Sequence, residues 1–424
     1  MNAADPNESL KALAAAFHQD DAARVRALSQ EHPHLKRWAT EPLPNGQGPA
    51  ITMVRSAAML DVLADAGADL NAKTSWWAGG FGLLHLAPLD VVRHALTRGA
   101  TMDIHAAARL GDVATVNSFL DADPSLVHAR GGDGQTPLHF AANLEVAEAL
   151  VRRGADLNVR DIDHESTPAQ WMLDTRQEIA RFLVERGCES DIFMGAALGN
   201  PALVEKALKA NPEAIRMRVS PEYFPMSDPR AGGTIYQWTL GWHVSPHQVA
   251  RKFGHEAVFQ LLMDRSPDDV KLVNACWLGD EQLAADLLQK SPALPKQFSA
   301  IDLKQVAHAA RNNNIKAVTL MLRFGWPVNA RGQHGGTPLH WAAWHGNVPM
   351  IRAILAFGPD LNMRDHDYNA TPVGWAIHAS ENGWGSPGAD YVESLRTLLD
   401  AGAEPPSAIS GTPEVQAFLR ALKR

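Results

Sequence analysis

Apolar residues recur along this chain in short helical patterns, and glycine- or proline-rich breaks separate one pattern from the next. Between Thr136 and Asn158, a mostly apolar stretch at 138–142 is followed by a second one at 146–150, and Gly154 then ends it. The spacing in the second stretch places its apolar side chains on one face of a helix. A glycine just after a helix is suited to the left-handed conformation found there. The pattern predicts a chain built from helix pairs.

One version of this unit occurs twice. The sequence Thr-Pro-Leu-His stands at 136–139 and again at 337–340. In both places the threonine is a good N-cap, and the proline suits the first helical position, where its missing N–H is not needed. A further Thr-Pro pair follows at 167 in the first copy and at 371 in the second, which is 31 and 34 residues later. This head and this period resemble the ankyrin repeat, whose unit is a β-turn plus two helices.

The resemblance implies an all-α fold, a solenoid of about twelve ankyrin-like helix pairs that extends over 1–424. It is strongest at 104–190 and 304–405. The two strong blocks lie about 200 residues apart in sequence, which predicts the duplication of a larger segment. In a curved solenoid, their two fingers (the loops that precede each second Thr-Pro) are expected on one concave side.

Three segments depart from the repeat. Residues 1–47 are predicted to form an N-terminal cap, and 406–424 a C-terminal cap. The stretch 217–245 is too long for a turn between helices and is rich in aromatic rings, which disfavours disorder. We therefore predict an ordered inserted loop or lid there, within a single solenoid domain.

Composition narrows the classes of partner and compartment. The formal net charge is −8, whereas a nucleic-acid-binding protein needs a concentrated basic face. The sequence has no run of 18 apolar residues and no recognisable signal peptide, so no membrane association is expected. Its two cysteines suit a reducing compartment. These features favour a cytoplasmic protein that binds neither nucleic acid nor membrane, and the resemblance is to a long ankyrin-repeat solenoid of bacterial type.

The matched fingers carry most of the candidate chemistry. Asp-x-Asp is common in ankyrin fingers because aspartate tolerates turn geometry and bonds its own backbone. Alternatively, these carboxylates line a groove that binds a ligand, or act as a general acid and base. The candidates for catalysis are Asp161, Asp163, His164, Asp365 and Asp367.

Aromatic side chains supply the candidate ligand or partner contacts. Trp171, Trp341 and Trp375 fall at positions where the repeat needs core residues, so we expect them to be buried. Rings in fingers and insertions are expected to be more exposed, and flat apolar rings beside carboxylates suit a polyhydroxylated ligand. The residues predicted to contact a ligand or partner are Trp76, Trp77, Tyr236, Trp238, Trp242, His243, Trp344, His366 and Tyr368.

No cofactor and no metal site are predicted. His243 and His247 have the spacing of a helical metal-binding pair, but Pro246 starts the helix between them and removes that geometry. The leading functional prediction is a scaffold that binds a protein partner through concave fingers. The alternative is an enzyme or small-ligand binder with an aromatic and carboxylate pocket, which would act on a sugar or glycoside by acid–base chemistry.

Overall fold

The computed structural model describes residues 6–32 and 48–422. Over these ranges every regular element is a helix and no β-strand is present, which confirms the all-α prediction. Lys73 and Gly82 form an isolated antiparallel bridge at the base of a finger. The predicted N-terminal cap lies partly outside the described residues, as do the last two residues of the C-terminal cap.

The chain divides into two compact units. The first comprises the residues up to Met194 together with 219–241, and the second comprises 195–218 and 242–424. The inserted segment 217–245 therefore belongs mainly to the first unit, although its flanks belong to the second. Whether all repeats form one continuous solenoid stays a prediction.

The first unit consists of short helices, several of only four residues. In chain order its α-helices are Pro6–His18, Ala22–Glu31, Ala57–Asp65, Leu83–Leu86, Leu89–Thr97, Ile104–Leu110, Val113–Ala122, Pro137–Phe140, Leu144–Arg152, Pro168–Trp171, Gln177–Glu185 and Tyr236–Thr239, with Ile192–Leu198 at the boundary. Its 3₁₀ turns are Ala50–Met53, Pro124–His128 and Gly132–Gly134.

The second unit has longer helices. Its α-helices are Pro201–Ala210, Pro246–Lys252, Glu256–Arg265, Asp268–Leu278, Glu281–Lys290, Ala300–Leu303, Gln305–Arg311, Ile315–Arg323, Pro338–Trp344, Val348–Leu355, Pro372–Asn382, Tyr391–Asp400 and Pro413–Leu422. Its 3₁₀ turns are Pro212–Arg216, Leu294–Gln297 and Gln333–Gly335.

Histidines at the head of the repeat tie each repeat to the next finger. The ring nitrogen Nδ1 of His139 accepts a hydrogen bond from the Thr136 N–H, and Nε2 donates to the Ser166 carbonyl at 3.2 Å. In the second copy, His340 makes the same pair of bonds to Thr337 and Ala370. Both side chains are almost fully buried. The histidine of the Thr-Pro-Leu-His motif is therefore structural.

Apolar faces of the helix pairs form the core of each unit. In the second unit, Leu339, Met350 and Leu395 are inaccessible to solvent, and they belong to one cluster that also contains Trp341 and Trp375. The prediction that these two indoles are buried is confirmed, since their exposed fractions are 2% and 6%. Trp171 is only partly buried, so for this residue the prediction is wrong.

The inserted segment packs on the finger of the first unit. The Gly232 N–H donates to the Asp163 carbonyl at 2.9 Å, and the Ile235 N–H donates to Ser166 Oγ at 3.2 Å. Tyr236, in the short helix of this segment, is completely buried and donates its hydroxyl proton to Asp191 Oδ2 at 2.8 Å. Its ring therefore anchors the segment.

Candidate functional site

A cavity of about 470 Å³ opens in the second unit, and its walls are mainly aromatic rings. Trp341 and Trp375 meet edge to face with ring centroids 4.9 Å apart, and Trp341 stacks with Trp384 at 5.8 Å. We call this space the tryptophan cavity. It is lined by His334, Trp341, Trp344, Tyr368, Ala370, Gly374, Trp375, His378 and Trp384.

Two neighbouring helices and the segments beside them position these rings. Trp341 and Trp344 lie three residues apart on the helix Pro338–Trp344, and Trp375 and His378 lie three apart on Pro372–Asn382. Residues with this spacing lie on the same helix face. Trp384 follows the second helix and is 54% exposed. The cavity thus has a buried base and an accessible rim.

Two of the indole N–H groups at the cavity have no acceptor. Nε1 of Trp341 and Nε1 of Trp344 are buried, and no hydrogen-bond partner for them is found among the described residues. By contrast, Nε1 of Trp375 donates to Asp365 Oδ2 at 2.8 Å. An unpaired buried donor costs about 1–3 kcal/mol, so natural structures rarely leave one without a ligand or water to accept it.

A cation already contacts the rings of this cavity. The guanidinium carbon of Arg311 lies 4.3 Å from the ring centroid of Trp242, 5.2 Å from that of Trp384 and 5.5 Å from that of Trp341. Burial lowers the pKa of Arg311 to about 10, which still leaves it charged at neutral pH. The interior of the cavity is therefore unfavourable for a second cation.

At the rim, His334 and Asp367 form a hydrogen-bonded pair. Nδ1 of His334 lies 2.7 Å from Asp367 Oδ2, and the Asp367 side chain is 52% exposed. The Tyr368 ring, which is 66% exposed, lies beside His334 with a centroid separation of 5.7 Å. Of the second-copy finger candidates, Tyr368 lines the cavity, Asp367 bonds to the lining residue His334, and Asp365 bonds to the lining residue Trp375.

Asp161 and Asp365 hold their fingers together. Asp365 accepts bonds from the backbone N–H groups of Tyr368 and Ala370 and from Trp375. Burial alone would raise the pKa of Asp365, but these bonds lower it below its ordinary value. Asp161 makes the equivalent three bonds, although burial there prevails and raises its pKa. The turn-forming alternative of the sequence analysis accounts for both carboxylates, and their catalytic role stays a prediction.

The predicted ligand-contact rings occupy different environments. Trp76, Trp238, His366 and Tyr368 are exposed, and Trp77, Trp242 and Trp344 are partly buried. Two residues differ from the expected exposure because they pack inside the protein. Tyr236 lies in the core of the first unit, and His243 is 4% exposed and stacks on His308 with ring centroids 3.5 Å apart. The expected exposure of these two rings is wrong, and their contact with a ligand stays a prediction.

Sequence reasoning missed several residues of the tryptophan cavity. The sequence favours a core role for Trp341 and Trp375, and the predicted contacts do not include His334, His378 or Trp384. A usable signal is the spacing of aromatic residues along two consecutive helices that the repeat pattern makes neighbours. This spacing predicts that the rings at 341, 344, 375 and 378 lie at one helix–helix interface.

A second cluster lies in the first unit. Asp133, Asp163 and His164 each offer one ligand atom, and these three atoms lie within 4.8 Å of one another. Burial, the largest influence, raises the pKa of Asp133 to about 6. Oδ1 of Asp163 accepts a hydrogen bond from Trp77 Nε1 at 3.1 Å, and the Arg230 guanidinium covers the Trp77 ring at 4.3 Å. Trp77 is thereby part of the surroundings of this cluster.

Comparison with known families supports the repeat assignment. A family model described as "Ankyrin repeats (3 copies)" matches residues 104–194, 246–365 and 306–407, which together make up more than half of the chain. The chain belongs to the ankyrin-repeat family. Ankyrin repeats are in general protein-binding scaffolds.

Similar ankyrin-repeat proteins come from plants and animals. E3 ubiquitin-protein ligase XB3 of Oryza sativa subsp. japonica is 32% identical over 102 residues, or 24% of this chain and 23% of that protein. Ankyrin repeat and SAM domain-containing protein 6 of Rattus norvegicus is 31% identical over 140 residues, or 32% and 16%. B-cell lymphoma 3 protein of Homo sapiens is 24% identical over 259 residues, or 60% and 50%. The chain thus matches less than a quarter of the length of the first two proteins.

Among solved structures, the human ASB11 ankyrin repeat domain is 17% identical in sequence to this ankyrin-repeat chain. The match covers 72% of this chain and 100% of that one, with a TM-score of 0.28. Across the described residues, no helix is both long and apolar enough to cross a membrane.

Proposed function

We propose that this ankyrin-repeat chain binds a segment of a partner protein in the tryptophan cavity. The observation that carries the proposal is a space walled by aromatic rings, with the exposed rings of Trp384 and Tyr368 among its lining residues. A peptide can fill this space with one apolar side chain while its backbone stays at the accessible rim.

The surrounding charge restricts the guest. Arg311 lies against the rings of Trp341 and Trp384, so a lysine or arginine side chain of the partner would meet a like charge across those rings. Two unit charges 9 Å apart repel by about 2 kcal/mol at an effective dielectric constant of 20. A neutral apolar or aromatic side chain flanked by free carbonyls avoids this cost. We therefore expect the recognised segment to carry Leu, Met, Phe, Tyr or Trp at its central position.

A sugar is the second candidate guest. Its flat apolar face would stack on a tryptophan ring of the cavity. The cavity volume of about 470 Å³ falls within the range of about 300–1,000 Å³ that is typical of small-molecule sites. We rank this candidate second because the family generally binds proteins.

Cysteine environments support a reducing compartment for this function. Cys188 and Cys276 are both free and buried, and burial raises the pKa of the Cys276 thiol to about 12. We propose a cytoplasmic location on the basis of these free, buried thiols.

The test uses the purified full chain and a display library of random 12-residue peptides. Selected peptides are titrated against the wild type, Trp344→Phe and Trp384→Ala, with tryptophan fluorescence or calorimetry as the readout. Trp344→Phe keeps a ring but makes one wall of the cavity smaller, so the dissociation constant should rise about tenfold. Trp384→Ala removes a rim wall and should abolish measurable binding.

Trp238→Phe is the matched control, because it makes the same chemical change at an exposed ring of the first unit. It should leave the affinity unchanged. A panel of mono- and disaccharides is titrated in parallel. If sugars bind with the expected dependence on Trp344 and peptides do not, the second candidate replaces the first. If neither class responds to the cavity substitutions, the proposed function is wrong.

A further inference from the structure

The fingers of the two copies have the same backbone but different side chains. Asp133 and His334 lie in the preceding finger of each copy, three residues before its first Thr-Pro pair, and both are left-handed, with φ of 53° and 59°. The carbonyl of Asp133 accepts from the Ile162 N–H at 2.7 Å, and that of His334 accepts from the His366 N–H at 2.9 Å. This equivalence allows the side chains at the tips to be compared position by position.

In the second copy, the side chains at the finger tips are hydrogen-bonded to each other. His334 pairs with Asp367 at 2.7 Å, so a histidine meets a carboxylate. In the first copy, the same two positions hold Asp133 and Asp163, and two carboxylates face each other. Both are buried, with exposed fractions of 9% and 5%. Neither forms a salt bridge to a lysine or arginine among the described residues, and the His164 ring is the basic group beside them, at 3.9 Å from Asp133 and 3.5 Å from Asp163.

His164 adds a third electron-pair donor to this pair. Its Nδ1 lies 2.7 Å from the Gly233 carbonyl oxygen, which can only accept, so the ring proton is on Nδ1. The lone pair of Nε2 then points toward Asp163 Oδ2 at 3.5 Å and Asp133 Oδ2 at 3.9 Å. A histidine that donates one ring N–H to a backbone carbonyl while presenting the other nitrogen is the usual arrangement of a metal ligand.

The Asp133 side chain is 13% exposed, receives no hydrogen bond from any described residue and has its Oδ2 3.9 Å from His164 Nε2. Two mostly buried carboxylates beside an imidazole nitrogen favour a cation between them. Around a tetrahedral ion with bonds of about 2.1 Å, ligand atoms lie about 3.4 Å apart. The separations of 3.5 and 3.9 Å are close to this value.

We propose that Asp133, Asp163 and His164 bind a divalent transition-metal ion, with Zn²⁺ as the best match. An imidazole nitrogen favours zinc over calcium or magnesium, which prefer sites made only of oxygen. The protein supplies three ligands, and the fourth position of the ion is open to water or to a group of a partner. This proposal reverses the expectation from sequence that the chain has no metal site.

Residues around the proposed metal site orient its ligands and leave access for the ion. Trp77 Nε1 donates to Asp163 Oδ1, which leaves Oδ2 for the ion. Segment 219–241 covers the site, because Gly232 binds the Asp163 carbonyl and Gly233 orients His164. A β-carbon on Gly232 would lie 3.0 Å from Asp163 Oδ2 and 3.1 Å from the His164 ring. Gly232 is exposed, so its missing side chain leaves a route for the ion.

The test begins with the full chain after removal of metals by a chelator. Zn²⁺ is titrated by calorimetry and the metal content is measured by mass spectrometry, and Co²⁺ absorption reports the coordination geometry. The wild type should bind one Zn²⁺ per chain, give the absorption of a tetrahedral Co²⁺ site and unfold at a higher temperature when loaded. Asp133→Asn keeps the size of the side chain and should weaken binding more than 100-fold, since even second-shell changes cost 10- to 100-fold.

Asp367→Asn is the matched control, because it changes the equivalent carboxylate of the second copy, and it should bind Zn²⁺ like the wild type. His164→Gln provides a second ligand change if Asp133→Asn does not fold. Failure of the wild type to bind Zn²⁺, or unchanged binding by both Asp133→Asn and His164→Gln, would overturn the proposal. Because the readouts are metal content and spectra, they are independent of peptide binding in the tryptophan cavity.

Discussion

The carboxylate of Asp365 accepts a 2.8 Å hydrogen bond from the indole of Trp375, ten residues further along the chain. The bond joins the finger to the helix that carries one wall of the tryptophan cavity. Asp161 and Trp171 form the same bond at 3.2 Å in the first copy. Through this bond, the carboxylate that stabilises the turn of a repeat also orients a tryptophan ring.

Replacing Asp365 by asparagine should destabilise the protein. The amide NH₂ group of asparagine cannot accept a hydrogen bond, so at least one of the three N–H donors that Asp365 satisfies is left unpaired. We expect the free energy of unfolding to fall by about 2–3 kcal/mol, measured by urea denaturation. Asp367→Asn is the control, because this carboxylate is half exposed and should change stability much less. Equal stability of the two variants would contradict the structural role of Asp365.

Buried histidines should make the protein less stable as the pH falls. Burial lowers the pKa of His340 to about 4, whereas the unfolded chain has a histidine pKa near 6.5. Below pH 6.5 the unfolded state therefore binds a proton that the folded state does not, so stability decreases as the pH falls from about 6.5 toward 4. For His340 alone, the loss between pH 7.5 and 5 is about 2 kcal/mol.

His340→Gln tests this dependence without removing the bond to the repeat head. Glutamine occupies the equivalent position in two other repeats, where Gln170 and Gln248 accept from the N–H of Thr167 and Ser245. We expect the variant to lose about 2 kcal/mol less than the wild type between pH 7.5 and 5, by urea denaturation at each pH. Parallel pH profiles for the two proteins would show that His340 does not contribute.

Tyr236 and Trp238 lie in one short helix but should differ in their effect on stability. Tyr236→Phe removes the hydroxyl that donates to buried Asp191, and we expect a loss of about 1–2 kcal/mol. Trp238→Ala changes a ring that is 65% exposed, and its effect should stay within about 0.5 kcal/mol. Thermal and urea unfolding measure both. If Trp238→Ala proves the more damaging, the assignment of Tyr236 as the anchor of the inserted segment is wrong.

Arg311 should exclude cations from the tryptophan cavity. Arg311→Met removes the charge that lies against Trp341 and Trp384, and it should raise the affinity for tetramethylammonium about tenfold. Quenching of tryptophan fluorescence measures this affinity. Arg311→Lys retains the charge and should behave like the wild type. If the methionine variant gains no affinity for the cation, charge does not restrict the guest in the way proposed.

The repeat pattern was sufficient to predict the fold, because capping and helix termination are local. Thr136 and His139 lie three residues apart, so their bond is encoded within one turn of chain. The family model that matches more than half of the chain agrees with this part of the prediction.

The candidate sites could not be predicted in the same way, because they depend on which loops meet. Asp133 lies 30 residues before Asp163, and the sequence does not indicate that segment 219–241 covers both. Tyr236 was expected to be exposed because it falls in an insertion, yet insertions need a buried anchor, and this ring provides it. Trp341 is both a core residue and a wall of the cavity, and helical periodicity cannot distinguish these two roles.

At the left-handed residue of each finger tip, the role of the backbone is independent of the role of the side chain. Its backbone carbonyl holds the next repeat in both copies, whether the side chain is that of Asp133 or His334. Mutation at this position can therefore alter chemical specificity while the architecture is inherited unchanged. A duplicated finger of this kind therefore offers a position at which a substitution can change what the side chain binds while the fold is retained.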